Sequence, residues 1–232
     1  MMKKNIKGGI FMTSWDYRRI ARDNLADNWK ISILTALVAC LVGGMITGAA
    51  FIPSIKIDLS HVENIPGWIT AALAFLALIT SGIALLSFII GGTVQLGYAR
   101  FLLDQHDHRE HSLSQLFSQF DRFTAGFVQA FLRGLYIFLW TLLLIIPGIV
   151  AGYKYSMVPF LMAEHPNLTP SQAIDSSKAL MDGHKWELFC LDLSFIGWGI
   201  LAALTLNVGH IFLNPYKNAA HAAFYRKITS QR

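Results

Sequence analysis

The sequence predicts an all-α membrane protein: a polytopic helical bundle of five to six membrane-embedded helices with short amphipathic helices at the interface. Three observations predict it. The 232 residues are 54% hydrophobic and only 14% charged, with a mean hydropathy of +0.46, whereas soluble domains carry about 25% charged residues. Several apolar runs exceed the roughly 18 residues that mark a spanning helix. The basic residues collect between those runs, as the positive-inside rule requires.

The net charge is +5 and the pI about 9.3. Anionic headgroups and the positive-inside rule account for that balance, and without an aromatic-basic motif no nucleic-acid partner is expected. Cys40 and Cys190 both lie within apolar runs and read as small core hydrophobes, not as a disulfide framework or a metal motif. The basic start, MMKKNIKGGIF, lacks a continuous apolar stretch and a small-residue cleavage site, so no cleavable signal peptide is expected.

Thr13-Ser14 followed by Asp16 opens a helix over Trp15 to Trp29. Its arginines flank an apolar side, which suits either a helix in the headgroup layer or a short solvated helix before a span. The first span runs from about Ile31 to Ile55 and holds Gly44 and Gly48 at close-packing spacing. A short loop, Lys56 to Pro66, leads to a second span from about Trp68 to Leu96, rich in Ala, Ser and Gly. The polar stretch Leu96 to Gly126 follows. Within it Ser112 or Ser114 opens a short amphipathic helix with Leu116, Phe117, Phe120 and Phe123 on one face.

Phe127 to Ala163 is an apolar run of about 37 residues, roughly 55 Å as one helix, against a hydrocarbon core of about 30 Å. Pro147 and Gly148 lie near its middle, where proline removes a donor and glycine relaxes the chain. Two readings follow: a helical hairpin turning near the outer face, or one long kinked helix. Next, Thr169 caps a helix that has Pro170 at its first position, Gln172 completing a capping box and Gly183 at its end. Ala173, Ile174, Ser177, Leu180 and Met181 share one face of that helix, and Ile174, Ser177, Leu180 and Met181 form the candidate partner surface. The last apolar run, Leu188 to Leu213, is broken by Asn214-Pro215. Tyr216 to Ile228 is then a final interfacial helix or the second arm of a hairpin begun near Asn207.

Residues 1–30 thus form a cytoplasmic segment with an interfacial helix, and residues 31–232 a single helical membrane domain with a cytoplasmic amphipathic helix at 170–182. Seven basic residues up to Lys30 place the N-terminus inside. The basic tail also prefers the inside, which asks for an even number of crossings, so both five and six embedded helices stay open.

Chemistry-bearing residues are few. Lys154 and Asp192 sit inside apolar runs, where ionisable groups need a partner or a route to water. They form a candidate intramembrane pair, structural or belonging to a transport path. Arg133 is expected to snorkel. Asp104, Asp107, His108 and His111 share a helical face that suits a divalent metal or, with no HExxH or cysteine set, a solvated loop. No nucleophile elbow, phosphate loop or dinucleotide fingerprint occurs, so no catalytic residue, cofactor or enzymatic activity is expected.

The pieces IIPGIV, YKYSMVPFLMAE, SQAIDSSKALMDGHKWELF, LDLSFIGW and NPY…FYRKI, with GGTVQLGYARFLLD and SLSQLFSQFDRF, closely resemble the family known as domain of unknown function 975. The likeness runs from Met12 onward. More loosely, the chain resembles the membrane domain attached to some glycerophosphodiester phosphodiesterases, which is not their catalytic part. The resemblance implies a bacterial integral membrane protein of the cell membrane and supplies no active site. The functional expectation is a non-enzymatic scaffold or envelope-associated protein, partnered by the lipid bilayer and by a membrane protein or a second copy of the chain. Its rival is a small transporter or channel for an amphipathic or lipid-like solute.

Overall fold

The computed structural model describes residues 5–6, 9–10, 12–26, 28–43, 67–205 and 208–231. Among these the regular structure is helical, apart from a two-residue antiparallel pairing of Asn5–Ile6 with Gly9–Ile10. The helices are α1 (Ser14–Ala26), α2 (Trp29–Gly43), α3 (Gly67–His106), α4 (Phe123–Leu143), α5 (Ile145–Lys154), α6 (Val158–Glu164), α7 (Pro170–Leu180), α8 (Lys185–Leu193), α9 (Ile196–Leu204) and α10 (His210–Ser230).

The start of α1 is fixed by Asp16, whose carboxylate accepts both the Thr13 N–H and the Thr13 hydroxyl at 2.8 Å. These bonds, the backbone one first, hold the Asp16 carboxyl below its ordinary range. Tyr17, Ala21 and Leu25, spaced by four, are fully buried. They seat α1 on α10, with the Tyr17 and Phe224 rings edge to face at 5.6 Å. The helix is therefore docked on protein by one stripe, and neither the headgroup reading nor the solvated one describes that side.

The first expected span is described only as α2. Gly44, Gly48 and the loop Lys56–Pro66 lie outside the described residues. The second is longer than expected: α3 has 40 residues, about 60 Å. Its first half, to Ile89, is largely exposed, and its second half, from Gly91, is buried. The stretch read as polar from Leu96 thus begins as core helix. The misreading came from Arg100, Asp104 and Gln105, each of which makes at least one hydrogen bond within the protein. Arg100 bonds Asp104 at 3.0 Å, and the Gln105 amide donates to the Ser32 hydroxyl at 2.7 Å. The amphipathic helix expected near Ser112 is instead two short 3-10 turns, Leu113–Phe117 and Phe120–Arg122. There Leu116 is fully buried, while Phe117 faces outward at 49% exposure.

Small residues let α3 and α4 approach closely: a Cβ on Gly92 would stand 2.2 Å from the Gly126 carbonyl oxygen. The long apolar run does fold back as a hairpin. A Cβ on Gly148 would meet Thr141, and the Tyr136 and Tyr155 rings lie 5.8 Å apart across the two arms. The break, however, is not at Pro147-Gly148. Leu144 alone leaves the helical region, at φ −161° and ψ 146°, and Pro147 falls in the first turn of α5. Proline is tolerated there because first-turn N–H groups have no intrahelical acceptor. Asn214-Pro215 likewise does not break the chain, since Pro215 lies within α10. Of the two readings of the tail, the packing agrees with the second arm of a hairpin, since α10 returns along α9 with Gly209 against Ala202; Asn207, where that hairpin was expected to begin, lies outside the described residues.

Exposure divides the molecule. At one end the first half of α3, the α4–α5 turn and the α9–α10 turn present bare apolar side chains, with Leu78 70%, Leu142 74%, Ile146 75% and Leu204 75% exposed. The opposite end holds the main core, built from α1, the second half of α3, α6, α8 and the second half of α10. Four helical segments are long and apolar enough to cross a membrane, Leu85–His106, Leu113–Leu143, Ile145–Glu164 and Lys185–Leu204, with Trp29–Cys40 and Gly67–Ile79 shorter. That is four among the described residues where five to six were expected.

Candidate functional site

Asp192 ends the polar part of α8, and its partners come from two other helices. The His221 ring nitrogen lies 2.7 Å and the Lys217 ammonium 3.3 Å from one carboxylate oxygen; the Tyr153 hydroxyl donates to the other at 3.3 Å. Lys154 is not among the partners. Its ammonium sits over the Trp140 ring at 5.8 Å, and its carbonyl accepts the Ser177 hydroxyl at 2.8 Å. The expected Lys154–Asp192 pair is therefore not formed. The helical register turns Lys154 toward α4, while its neighbour Tyr153 faces α8. Arg133 donates to the Gln95 side chain at 2.9 Å, with its guanidinium reaching back toward the charged end.

Lys217 and His221 are the first rungs of a ladder along α10. Arg226 binds Glu164 from α6 and, at 2.5 Å, Asp107 just beyond α3. Lys227 binds Glu187 from α8. Two phenols share these carboxylates: Tyr17 donates to Glu187 at 2.6 Å and Tyr225 to Glu164 at 2.5 Å. Burial pushes both phenols above their ordinary range, and the carboxylate each one faces adds to the shift. Acids from three elements are thus tied to one helix, which couples α3, α6 and α8 through charge-assisted hydrogen bonds.

The candidate partner face on α7 is turned inward. The capping box forms as expected, with the Gln172 N–H donating to the Thr169 hydroxyl and the Thr169 N–H to the Gln172 side chain. Gly183 adopts φ +79° just beyond the helix, as a C-terminal glycine does. But Ile174, Ser177, Leu180 and Met181 are all buried, at 5%, 0%, 6% and 0% exposure, against neighbours that include α4 and α6. That apolar stripe belongs to the protein's own core, and the outward face carries Gln172, Asp175 and Lys178. Beside it lies a groove of about 690 Å³ lined by residues that include Glu164, His165, Asn167, Gln172, Ser176 and Thr229. Its carboxylate, Glu164, is already committed to Tyr225 and Arg226.

The Asp104–His111 segment is taken up by protein partners. Asp104 faces Arg100, Arg109 and Gln115, Asp107 faces Arg226 and the same Arg109, and His106 lies 2.9 Å from the Asn24 amide. Among the described residues no group of three or more His, Cys, Asp or Glu is placed to hold a metal ion.

Sequence reasoning read Lys217, Arg226 and Lys227 only as part of a basic tail and passed over His221. The available signal was their recurrence at 217, 221 and 226–227 along one helix, matched by the isolated acids Glu164, Glu187 and Asp192.

No curated protein and no solved structure matches the chain. Residues 141–232, which hold α5 to α10, the ladder and the α7 cap, match the model of the family described as "Protein of unknown function (DUF975)", the family that the sequence resembles.

Proposed function

We propose that this chain is a multi-pass integral membrane protein of the cell membrane that acts as a non-enzymatic scaffold. Its apolar end lies in the bilayer, and its charged end, with residues 1–30 and α7, faces the cytoplasm. The observation that carries this reading is the division of the surface. Bare Leu and Ile crowd one end, an arrangement that water penalises and hydrocarbon does not. The charged groups of the other end are cross-tied through α10, which holds the outward face of α7 and its groove in a fixed shape. A transport path using Lys154 and Asp192 would need both in one water-reached cavity; their separate surroundings favour the scaffold over the transporter.

The test is in-cell photo-crosslinking from the outward face of α7. Asp175→Arg with Lys178→Glu is expected to abolish the crosslinked partner band while leaving membrane insertion intact. An unchanged band refutes α7 as the contact surface.

A further inference from the structure

The α4–α5 hairpin has its most apolar and most exposed residues at its turn. Leu142, Leu143, Leu144, Ile145 and Ile146 are 74%, 68%, 64%, 72% and 75% exposed. A hairpin that crossed a bilayer would set its turn in water, where polar turn residues belong. No charged residue occurs between Arg133 and Lys154. As one helix those 20 residues would span a membrane, at roughly 30 Å. Folded at Leu144 they reach half as far: α5 has 10 residues, about 15 Å, which is the depth of one leaflet.

The turn pairs part of its own backbone without water. Leu144 donates its N–H to the Trp140 carbonyl at 3.1 Å, and Gly148 donates to the Leu144 carbonyl at 3.2 Å. Pro147 removes a first-turn N–H that would otherwise face hydrocarbon unpaired. At the base, Lys154 rests over Trp140 and Arg133 reaches back to Gln95, so each arm meets a cation where it leaves the apolar zone.

The second hairpin repeats the pattern. Between Asp192 and Lys217 there is no Asp, Glu, Lys or Arg, and the Asp192–Lys217 ion pair closes the base at 3.3 Å. Helix α9 has nine residues, roughly 14 Å, and Leu204 and Val208 near the turn are 75% and 56% exposed. The two bases touch through Tyr153 and Asp192.

We propose that both hairpins are re-entrant: each dips into the acyl chains of one leaflet and returns to the side it entered from, with its turn near the bilayer centre. This rests on the membrane reading above and replaces the expected turn at the outer face. Helices α5 to α10 then stay on one side, and among the described residues the crossing falls to α3.

The test uses the full chain with Cys40 and Cys190 replaced by serine, reconstituted in sealed phosphatidylcholine–phosphatidylglycerol vesicles. Leu144→Cys carries a bimane label, and Leu204→Cys asks the same question independently should the first variant fail to assemble. Quenching is compared between lipids with the nitroxide at the chain end and lipids with it at the headgroup. The expected result is stronger quenching from the chain end, and no reaction of the unlabelled cysteine with a membrane-impermeant maleimide from either side. Headgroup-level quenching with labelling from the face opposite Asp175→Cys shows full crossing, which overturns re-entry and leaves the membrane reading standing. Quenching by neither lipid overturns both.

Discussion

Removing Arg226 tests the ladder that holds the charged end together. Arg226→Met keeps most of the side-chain volume and leaves Glu164 and Asp107 without their shared cation, while Tyr225 still donates to Glu164 and Arg109 stays 3.8 Å from Asp107. A hydrogen bond to a charged group is worth about 1.5–3 kcal/mol. The three side chains remain 21%, 24% and 21% exposed, so water screens part of the loss, and the two bonds together come to about 2–4 kcal/mol. For a chain of this size each kcal/mol shifts Tm by about 2–4 °C, so unfolding in detergent micelles should fall by roughly 5–15 °C. The control is Arg19→Met. Its pair with Asp23 is 3.9 Å long, with side chains 63% and 68% exposed, and its removal should cost under about 0.5 kcal/mol. A cycle with Glu164→Gln should return a coupling above about 1 kcal/mol. Equal Tm values for Arg226→Met and Arg19→Met would refute the ladder as a stabilising element.

Other outcomes follow from the same geometry. Gly92→Ala places a Cβ against the Gly126 carbonyl, an atom that cannot rotate away, and should cost about 1–3 kcal/mol by thermal unfolding; Gly134→Ala, with nothing within 4 Å, should stay within about 0.5 kcal/mol. Thr169→Ala removes the α7 cap and should lower stability by about 1 kcal/mol, with Thr169→Ser restoring most of it. Tyr17 and Tyr225 have raised phenol pKa values in the folded state, so their contribution is complete below the free-phenol value near 10 and is lost as pH rises above it. Tm should hold steady from neutral pH to about 9 and then fall more steeply than in the Tyr17→Phe, Tyr225→Phe double variant.

The helical class, the α7 cap and the fold-back of the 127–163 run were legible because each has a local cause: composition, a capping box with a C-terminal glycine, and an apolar run longer than one spanning helix needs. The position of the fold-back was not. Pro147 drew the break to itself, yet proline costs little in a first turn, and the extended residue is Leu144, which has no turn signature. Pro215 misled in the same way inside α10. The partners of Asp192 were illegible for a different reason. Pairing depends on which side of α5 faces α8, and a single step in register exchanged Lys154 for Tyr153. The α7 stripe was read correctly as apolar but wrongly as free, since a pattern of Ile174, Ser177, Leu180 and Met181 says that a face is covered and not by what.

Spin-label accessibility in lipid bilayers tests the central claim, that one end of this helical protein lies in hydrocarbon and the other in water. Labels at Leu78, Leu142 and Leu204 sample the bare apolar end, and labels at Arg109 and Asp175 the charged end. The first three are predicted to collide with dissolved oxygen in preference to a water-soluble nickel chelate, and the last two to show the reverse. Nickel-chelate preference at all five positions would contradict the account.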